Sequence, residues 1–513
     1  MKTTTLSLFI FLFSMVSFGQ RDFVKLTDDG EPNFKMSIEY NGKLFFENKR
    51  GFYNSELWTI DGTASVVEPF KAKRTSWTFI YPNSLIEFNN QLFFEASDGN
   101  GGSRLYKSDG TEINTEEIKK IRVRQPIIFQ DKIFFQGNEN MFGSELWTTN
   151  GTESGTSLVK DILPGTNGSA PSDFIIVGNR LIFIANDGTN GEELWATDGT
   201  LNGTMMLKDI RNGNGGITVR NKLVINNMLY FTADAYDSGE ELWLTNGTEA
   251  GTRLLKDIRP GSSRSVIRDF FEYNGILFFT ADDGTHGREL WMSGGTDALT
   301  AMVKDIHPTA SSDPDNFIIY NNKIYFSATH PTYGREIWES DGSASGTKLA
   351  VDIFPGSQTG YGPFSSSPKH FTPFKGELYF SVADRILAKT DGTAEGTKLI
   401  KTINSTNIRT PIDNPLDNLI VYNDKLYFRA DDGSNGYELW ESDGTEDGTV
   451  KIKPNNTNRV NPLEEDPQFR IYNNALYFVA SFTNTLDPVL WKLSTLPTPT
   501  STKKINHANQ GLN

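Results

Sequence analysis

The chain has 513 residues and not one cysteine. That absence excludes disulfides, thiolate metal sites, a cysteine nucleophile and a lipidated N-terminal cysteine, so packing alone must hold the fold. Histidine is scarce, with His286, His307, His330, His370 and His507 the only copies. No HExxH pair is present, and no Walker A loop, GxSxG elbow or GxGxxG loop falls in a suitable context. Positive charge is in deficit: 49 Lys and Arg stand against 64 Asp and Glu, a net charge of −15. Phosphate binding needs a basic face, so no nucleic-acid partner is expected, and the acidity reads as solubility. The one apolar run, about Leu6 to Phe18, falls short of the roughly 20 residues that span a bilayer. With Lys2 before it and Ser17 and Gly19 at its end, it reads as a signal peptide over residues 1–19, cut before Gln20. The mature chain is therefore expected to be exported, extracellular or cell-surface associated (or periplasmic), and not membrane-spanning.

Aromatics and glycine are plentiful: 36 Phe, 17 Tyr, 9 Trp and 46 Gly. Together with the absence of long helical stripes, they point to an all-β protein. One phrase returns along the chain: ANDGTNGEELWATDGT at 185–200, ADAYDSGEELWLTNGT at 233–248 and ADDGTHGRELWMSGGT at 281–296. A doublet precedes each copy, in ten modules running from Phe45-Phe46 through Phe278-Phe279 to Tyr477-Phe478. Trp58, Trp147, Trp195, Trp243, Trp291, Trp338, Trp440 and Trp491 share one column, with Tyr106 and Ala388 standing in elsewhere and Trp77 outside it.

Each module divides into four strands. In 268–305 these are DFFEY, ILFFTA, RELWMS and TAMVKDI, with Asn274-Gly275 as a two-residue hairpin turn. Three connections are tight and the fourth, such as IRPGSSRSVIRDF at 258–270, is long. That asymmetry predicts a β-propeller, where only the return from outer to inner strand must cross a blade. Residues 22–27, DFVKLT, resemble a fourth strand with no module before it, while the last module lacks its own. Pairing the two ends would close a ring and hide an edge. The expectation is about ten four-stranded blades over residues 20–496 in one ring, with two smaller tandem propellers as the alternative and 497–513 as a flexible tail.

The recurrent residues read as structure. Glycine of the DGT turn, as in Gly199 and Gly295, supplies φ > 0, and the Asp or Asn before it accepts turn amides. Tryptophan stacked between blades stabilises by roughly 2–3 kcal/mol per copy, whereas a ring of sugar platforms would not need a copy on every blade. The ELW glutamates, Glu56, Glu145, Glu193, Glu241, Glu289, Glu336 and Glu438, are expected in a repeated hydrogen bond or an ion pair with Lys160, Lys208, Lys256 and Lys304. Catalytic carboxylates need unique environments instead. Asp-rich loops such as DDGTHG (282–287) lack the spaced ligand series of a calcium loop. His286 and His330, on successive loops, make a poor site alone. No catalytic, cofactor-binding or metal-binding residue is nominated.

GEELWATDGTLNGTMMLKDI (191–210) and GYELWESDGTEDGTVKI (436–452) resemble the ELWxxDGT repeats of exported bacterial proteins. The likeness covers about residues 22 to 493 and implies secretion and a surface or extracellular life, without an activity. Relatives in that family often end in a type IX sorting domain; KKINHANQGLN does not match one. GRELW is also similar to the tryptophan docking motif of quinoprotein propellers, which implies blade locking but no quinone. Module eight, FKGELYFSVADRILAKTDGT (374–393), has lost one loop and its Trp. A notch is expected there, bordered by 354–371 with Tyr361 and His370. The expected function is a non-enzymatic module binding protein or glycan. The rivals are a polysaccharide hydrolase or lyase and a purely structural spacer.

Overall fold

The computed structural model describes residues 21–495 apart from 28–29, 51–53, 62–66, 72–78, 98–101, 140, 236, 406–414, 435, 455–461, 464–465 and 483–487. The expected signal peptide and tail, Gly62 and Trp77 lie outside the described residues. The fold is all-β with a single turn of 3-10 helix at Asp297–Leu299 among the described residues. No helix there is long and apolar enough to cross a membrane.

Ten antiparallel sheets follow one another along the chain, numbered here 1 to 10, each with strands a to d in order. Their a strands are Glu31–Tyr40, Ile80–Phe88, Arg122–Phe129, Ser172–Val177, Val219–Ile225, Arg268–Tyr273, Asp315–Tyr320, Lys369–Phe374, Asp417–Tyr422 and Arg470–Tyr472. Sheet 6 is representative: its b, c and d strands are Ile276–Asp282, Arg288–Ser293 and Thr300–Lys304. Its a–b turn places Asn274 at φ 53° and Gly275 at φ 77°, the double left-handed turn that matches strand twist. Sheets 1 and 2 are joined into one eight-stranded sheet by a bridge from Glu56 to Ile80.

The orphan strand at the front does what the sequence led one to expect. Arg21–Lys25 pairs antiparallel with the c strand of sheet 10, Val489–Thr495, in register from Arg21↔Thr495 to Lys25↔Trp491. Sheet 10 thus borrows its d strand from the other end of the chain.

Between the sheets lie the cores. Phe46, Phe94, Phe135, Phe183, Phe231, Phe279, Phe326, Phe380, Phe428 and Phe478, the second members of the doublets, are fully buried. Across the strand pair they face the tryptophan column, as in Phe279↔Trp291, with ring centroids 6.4 Å apart. Each tryptophan packs on the preceding sheet: Trp195 on Phe134 and Leu146, Trp291 on Tyr230 and Leu242. The first doublet member has its own neighbour. A Cβ on Gly342 would lie 3.0 Å from Phe278 and one on Gly199 3.2 Å from Phe134. Turn glycines at φ near 90° therefore serve both the hairpin and the approach of the preceding sheet. Sheets 1 to 10 are linked pairwise by such clusters, and a further one joins sheet 10 back to sheet 1, with Trp58, Phe46 and Leu44 against Tyr472, Ala475, Tyr477 and Leu490.

Candidate functional site at the junction of sheets 9, 10 and 1

The repeated polar residues are used up inside the fold. Glu289 accepts from the Ile306 N–H at 3.1 Å and the Ser312 N–H at 2.9 Å, and Ser312 Oγ donates to it at 2.5 Å. Glu145 does the same for Ile162, Leu163 and Ser169. These glutamates latch the long d–a crossover onto strand c. Of the two expected arrangements, the repeated hydrogen bond is present. The strand-d lysines turn elsewhere: Lys160 and Lys304 donate to the Thr204 and Thr347 carbonyls of the following sheet, both at 2.7 Å, and Lys256 reaches Asp297. Backbone amides of the crossover lie closer to the carboxylate than any lysine head can come without being buried. Burial outweighs these hydrogen bonds and pushes Glu193, Glu241, Glu289 and Glu336 up to about 7.

The turn aspartates behave as expected. Asp198 Oδ1 accepts the Thr200 N–H at 3.0 Å, and in the b–c loop Asp187 Oδ1 accepts from Thr189 and Asn190. Among the described residues no group of three or more acidic or histidine side chains could hold a metal ion. His286 bonds Asp283 within its own loop at 2.7 Å, and His330 stacks on Tyr333 with centroids 4.8 Å apart. The structure gives these two imidazoles no shared partner.

The notch expected at sheet 8 is filled. Its b–c connection is a tight turn at Ala383-Asp384, and Arg385 behind it is 2% exposed. The Leu416 N–H bonds the Asp384 carbonyl at 2.7 Å and the Ile403 N–H bonds the Arg385 carbonyl at 2.9 Å, while the Ala383 N–H keeps the bond to the Ser366 carbonyl that Asp282 makes to Ser265 in sheet 6. The neighbouring crossovers have moved in where the loop is missing. Tyr361, 79% exposed, rides on a small hairpin between Ser357–Gln358 and Gly362–Pro363. His370 occupies the bulge of strand a at φ 60°, and burial lowers its pKa.

Open volumes lie elsewhere, one of about 550 Å³ at sheets 2 and 3, lined by residues such as Ser103, Lys120, Arg122 and Asn138. A cavity of about 370 Å³ sits where the a strands of sheets 9, 10 and 1 meet, lined by Phe34, Lys35, Asn418, Leu419, Ile420, Asp466, Gln468, Phe469 and Arg470. A second volume of about 760 Å³ shares Lys35, Asp466 and Gln468 and adds Glu31, Asn33, Lys49 and Pro488. Asn418 and Ile420 repeat Asn316 and Ile318 of sheet 7, and Gln468 repeats Gln125 of sheet 3, whose Oε1 accepts the Asp173 N–H at 2.8 Å. Arg470 departs from the Ile318, Thr372 and Ile420 that stand at its register position. Lys35 pairs with Asp466 at 2.9 Å. Burial pushes the Asp466 carboxyl up, but the Lys35 ammonium and the Gln468 N–H outweigh it and hold the carboxyl below its ordinary value. Gln468 Oε1 accepts the Phe34 N–H at 2.8 Å, which fixes the amide across the sheet 10 to sheet 1 joint. Arg470 donates through Nη2 to Glu39 at 2.9 Å, while its buried Nε has no partner among the described residues. Behind the cavity, Arg429 forms a two-pronged pair with Asp417 at 2.8 and 2.6 Å, and Asn418 bonds Asp417 in turn at 2.9 Å.

Sequence reasoning missed this cluster because its members are spread over sheets at opposite ends of the chain and share no motif. One signal was present: Arg429 follows Phe428 where other modules carry residues such as Thr232, Thr280, Ser327 and Ser381.

No family model and no curated protein matches the chain. Among solved structures it is similar to a computationally designed protein, Ika8, at 14% identity and TM-score 0.28, covering 73% of this chain and 99% of that one. It is also similar to a puromycin hydrolase, at 12% identity and TM-score 0.29, covering 80% and 60%. Prolyl endopeptidases match at 10% identity and TM-score 0.35, covering 73% and 55%. The chain thus spans 60% and 55% of the two peptidases' own lengths, and likenesses this slight carry no argument about activity.

Proposed function

We propose that this chain is an exported, non-enzymatic β-propeller whose ten blades form one ring, and that it binds a protein or glycan partner through the cavity between blades 9, 10 and 1. The ring is supported by the core joining sheet 10 to sheet 1, by the borrowed strand and by the Tyr472 hydroxyl, which donates to the Gly42 carbonyl at 2.6 Å. Two tandem rings would each need a closure in mid-chain, yet sheet 5 packs on sheet 6 just as its neighbours pack on each other. Export rests on the signal-like start of the sequence and on the resemblance to exported repeat proteins.

The observation that carries the binding reading is the cavity itself. It combines an open apolar floor with charged side chains that the repeat does not specify, whereas the ELW glutamates and DGT aspartates serve the fold. A polysaccharide hydrolase needs one carboxyl kept protonated beside an ionised one. Asp466, the carboxyl that lines the cavity, is held ionised, and the carboxyls pushed up to about 7, Glu193, Glu241, Glu289 and Glu336, are latches with no exposed surface. A glycan array and a pull-down from a bacterial surface fraction, each run with the natural chain and with Leu419→Trp, test the reading. Ligands retained by the first and lost by the second, at unchanged melting temperature, are the expected outcome. Equal retention by both chains would remove the cavity from the account.

A further inference from the structure

We infer that the ligand of this cavity is an acidic sugar, a hexuronate unit of a polysaccharide, whose carboxylate is received by Arg470 and Gln468. The inference rests on the binding reading above and narrows it. What the cavity offers is donors. Arg470 lines the cavity with a side chain 38% exposed; Nη2 is given to Glu39, and Nη1 has no acceptor among the described residues. Gln468 is anchored through its oxygen to the Phe34 N–H, so its NH₂ is the free end, and no acceptor for it is found among the described residues. The Lys35 ammonium adds further N–H groups at the rim, where its side chain is 79% exposed. The one carboxylate lining the cavity is already engaged: Asp466 receives Lys35 and the Gln468 N–H.

A lining of donors over an apolar floor selects a ligand with acceptors at one end and C–H surface at the other. A carboxylate meets the first requirement, because a charged acceptor roughly doubles the strength of each N–H bond. Leu419 and Phe469, both partly exposed, meet the second, offering an apolar face to a sugar ring. A volume of about 370 Å³ leaves room for more than a bare carboxylate. A peptide's C-terminal carboxylate fits less well, because it brings backbone N–H groups and the one carboxylate lining the cavity, Asp466, is already engaged. Sugar hydroxyls can accept as well as donate. The protein's net charge of −15 opposes an anionic ligand at long range, but screening over about 8 Å at physiological salt leaves contact-range pairing in control.

Calorimetric titration of the purified chain with trigalacturonate, its neutral galactose counterpart and a tripeptide with a free C-terminus tests this. Trigalacturonate is expected to bind about tenfold or more tightly than the neutral sugar. Arg470→Gln and Gln468→Glu should each weaken it by about tenfold. Gln468→Glu keeps the acceptor for Phe34 and places a negative charge where the donor was, so its folding is protected. Melting temperature should be unchanged in both. Equal binding of neutral and acidic sugars, or undiminished uronate binding by Arg470→Gln, overturns the uronate assignment. Tripeptide binding lost in Leu419→Trp would overturn the uronate but leave a binding cavity standing. Failure of all three probes, together with array ligands indifferent to Leu419→Trp, sinks both readings.

Discussion

Sheets 3 to 7 and sheets 8 to 10 with 1 and 2 come from one repeat but are fastened differently. In the first arc the ELW glutamate is present in every sheet, as Glu145, Glu193, Glu241, Glu289 and Glu336, and is fully buried. In the second arc the same position holds Ile386, Glu438, Val489, Glu56 and Arg104. Glu438 there pairs with Lys451 at 2.7 Å, and Glu56 takes the Trp58 indole N–H at 3.0 Å. The indole N–H groups of Trp147, Trp195, Trp243, Trp291 and Trp338 have no partner among the described residues, while Trp440 and Trp491 in the second arc donate to carbonyls at 3.2 Å. The regular arc repeats one fastening five times. The irregular arc has given it up, and the cavity lies there.

The largest test of that contrast acts on the aromatic column. Trp291→Ala empties a site packed by Tyr230, Leu242 and Phe279 and is expected to cost about 3–5 kcal/mol, read from the midpoint of chemical denaturation. The reciprocal change, Ala388→Trp, restores the repeat in sheet 8. Ala388 is fully buried against Leu378, Phe380 and Val382, so the indole overpacks and should destabilise by about 1–3 kcal/mol. A stabilised Ala388→Trp would show that sheet 8 is a worn copy of the regular arc and not a different solution.

Much of this could be read beforehand from residues whose role is local or repeated. Asn274-Gly275 fixes a hairpin by its own dihedrals, the doublet and the tryptophan mark strands b and c by their spacing, and DFVKLT announced itself as a strand without a sheet. The Glu289 latch was half visible: its recurrence signalled a repeated bond, but its partner Ser312 lies 23 residues onward, in a crossover of varying length that hides the match. Arg470, Gln468 and Lys35 were not legible at all. What brings Gln468 to Phe34, 434 residues away, is the packing of the last sheet against the first, and no local preference encodes it.

The latches give the next contrast. Glu289→Ala strips the acceptor from the Ile306 and Ser312 amides and the Ser312 hydroxyl, which should cost on the order of 3 kcal/mol. Glu438→Ala removes a partly exposed ion pair and should cost about 1 kcal/mol or less. The regular arc should also carry a pH dependence. Glu193, Glu241, Glu289 and Glu336 stand at about 7 when folded, above the ordinary carboxylate value of about 4.3. The folded state therefore binds protons that the unfolded chain does not. Their contribution is complete below the unfolded value and is lost as pH rises through about 7. Melting temperature should fall between pH 5.5 and 8.5, and Glu289→Gln, neutral throughout, should flatten the slope. A melting temperature that stays flat over that range and drops only below about pH 5 would mean that the crossover amides hold these carboxylates ionised.

The smallest expected effect decides whether the joint between sheets 10 and 1 is an interface like the others. The Tyr273 hydroxyl donates to the Asn322 carbonyl of the next sheet at 2.7 Å, within the regular arc. Tyr472 makes the equivalent bond to Gly42 at 2.6 Å across the proposed closure. Each phenol removed as Tyr→Phe leaves one turn carbonyl without its donor and should cost about 1 kcal/mol. In a closed ring the two substitutions weaken the protein alike, because unfolding must open both joints. In a chain whose ends do not meet, Tyr273→Phe still costs that amount and Tyr472→Phe costs nothing. The ratio of the two denaturation midpoints therefore reports on closure without any image of the ring, and a silent Tyr472→Phe would remove both the closure and the cavity that depends on it.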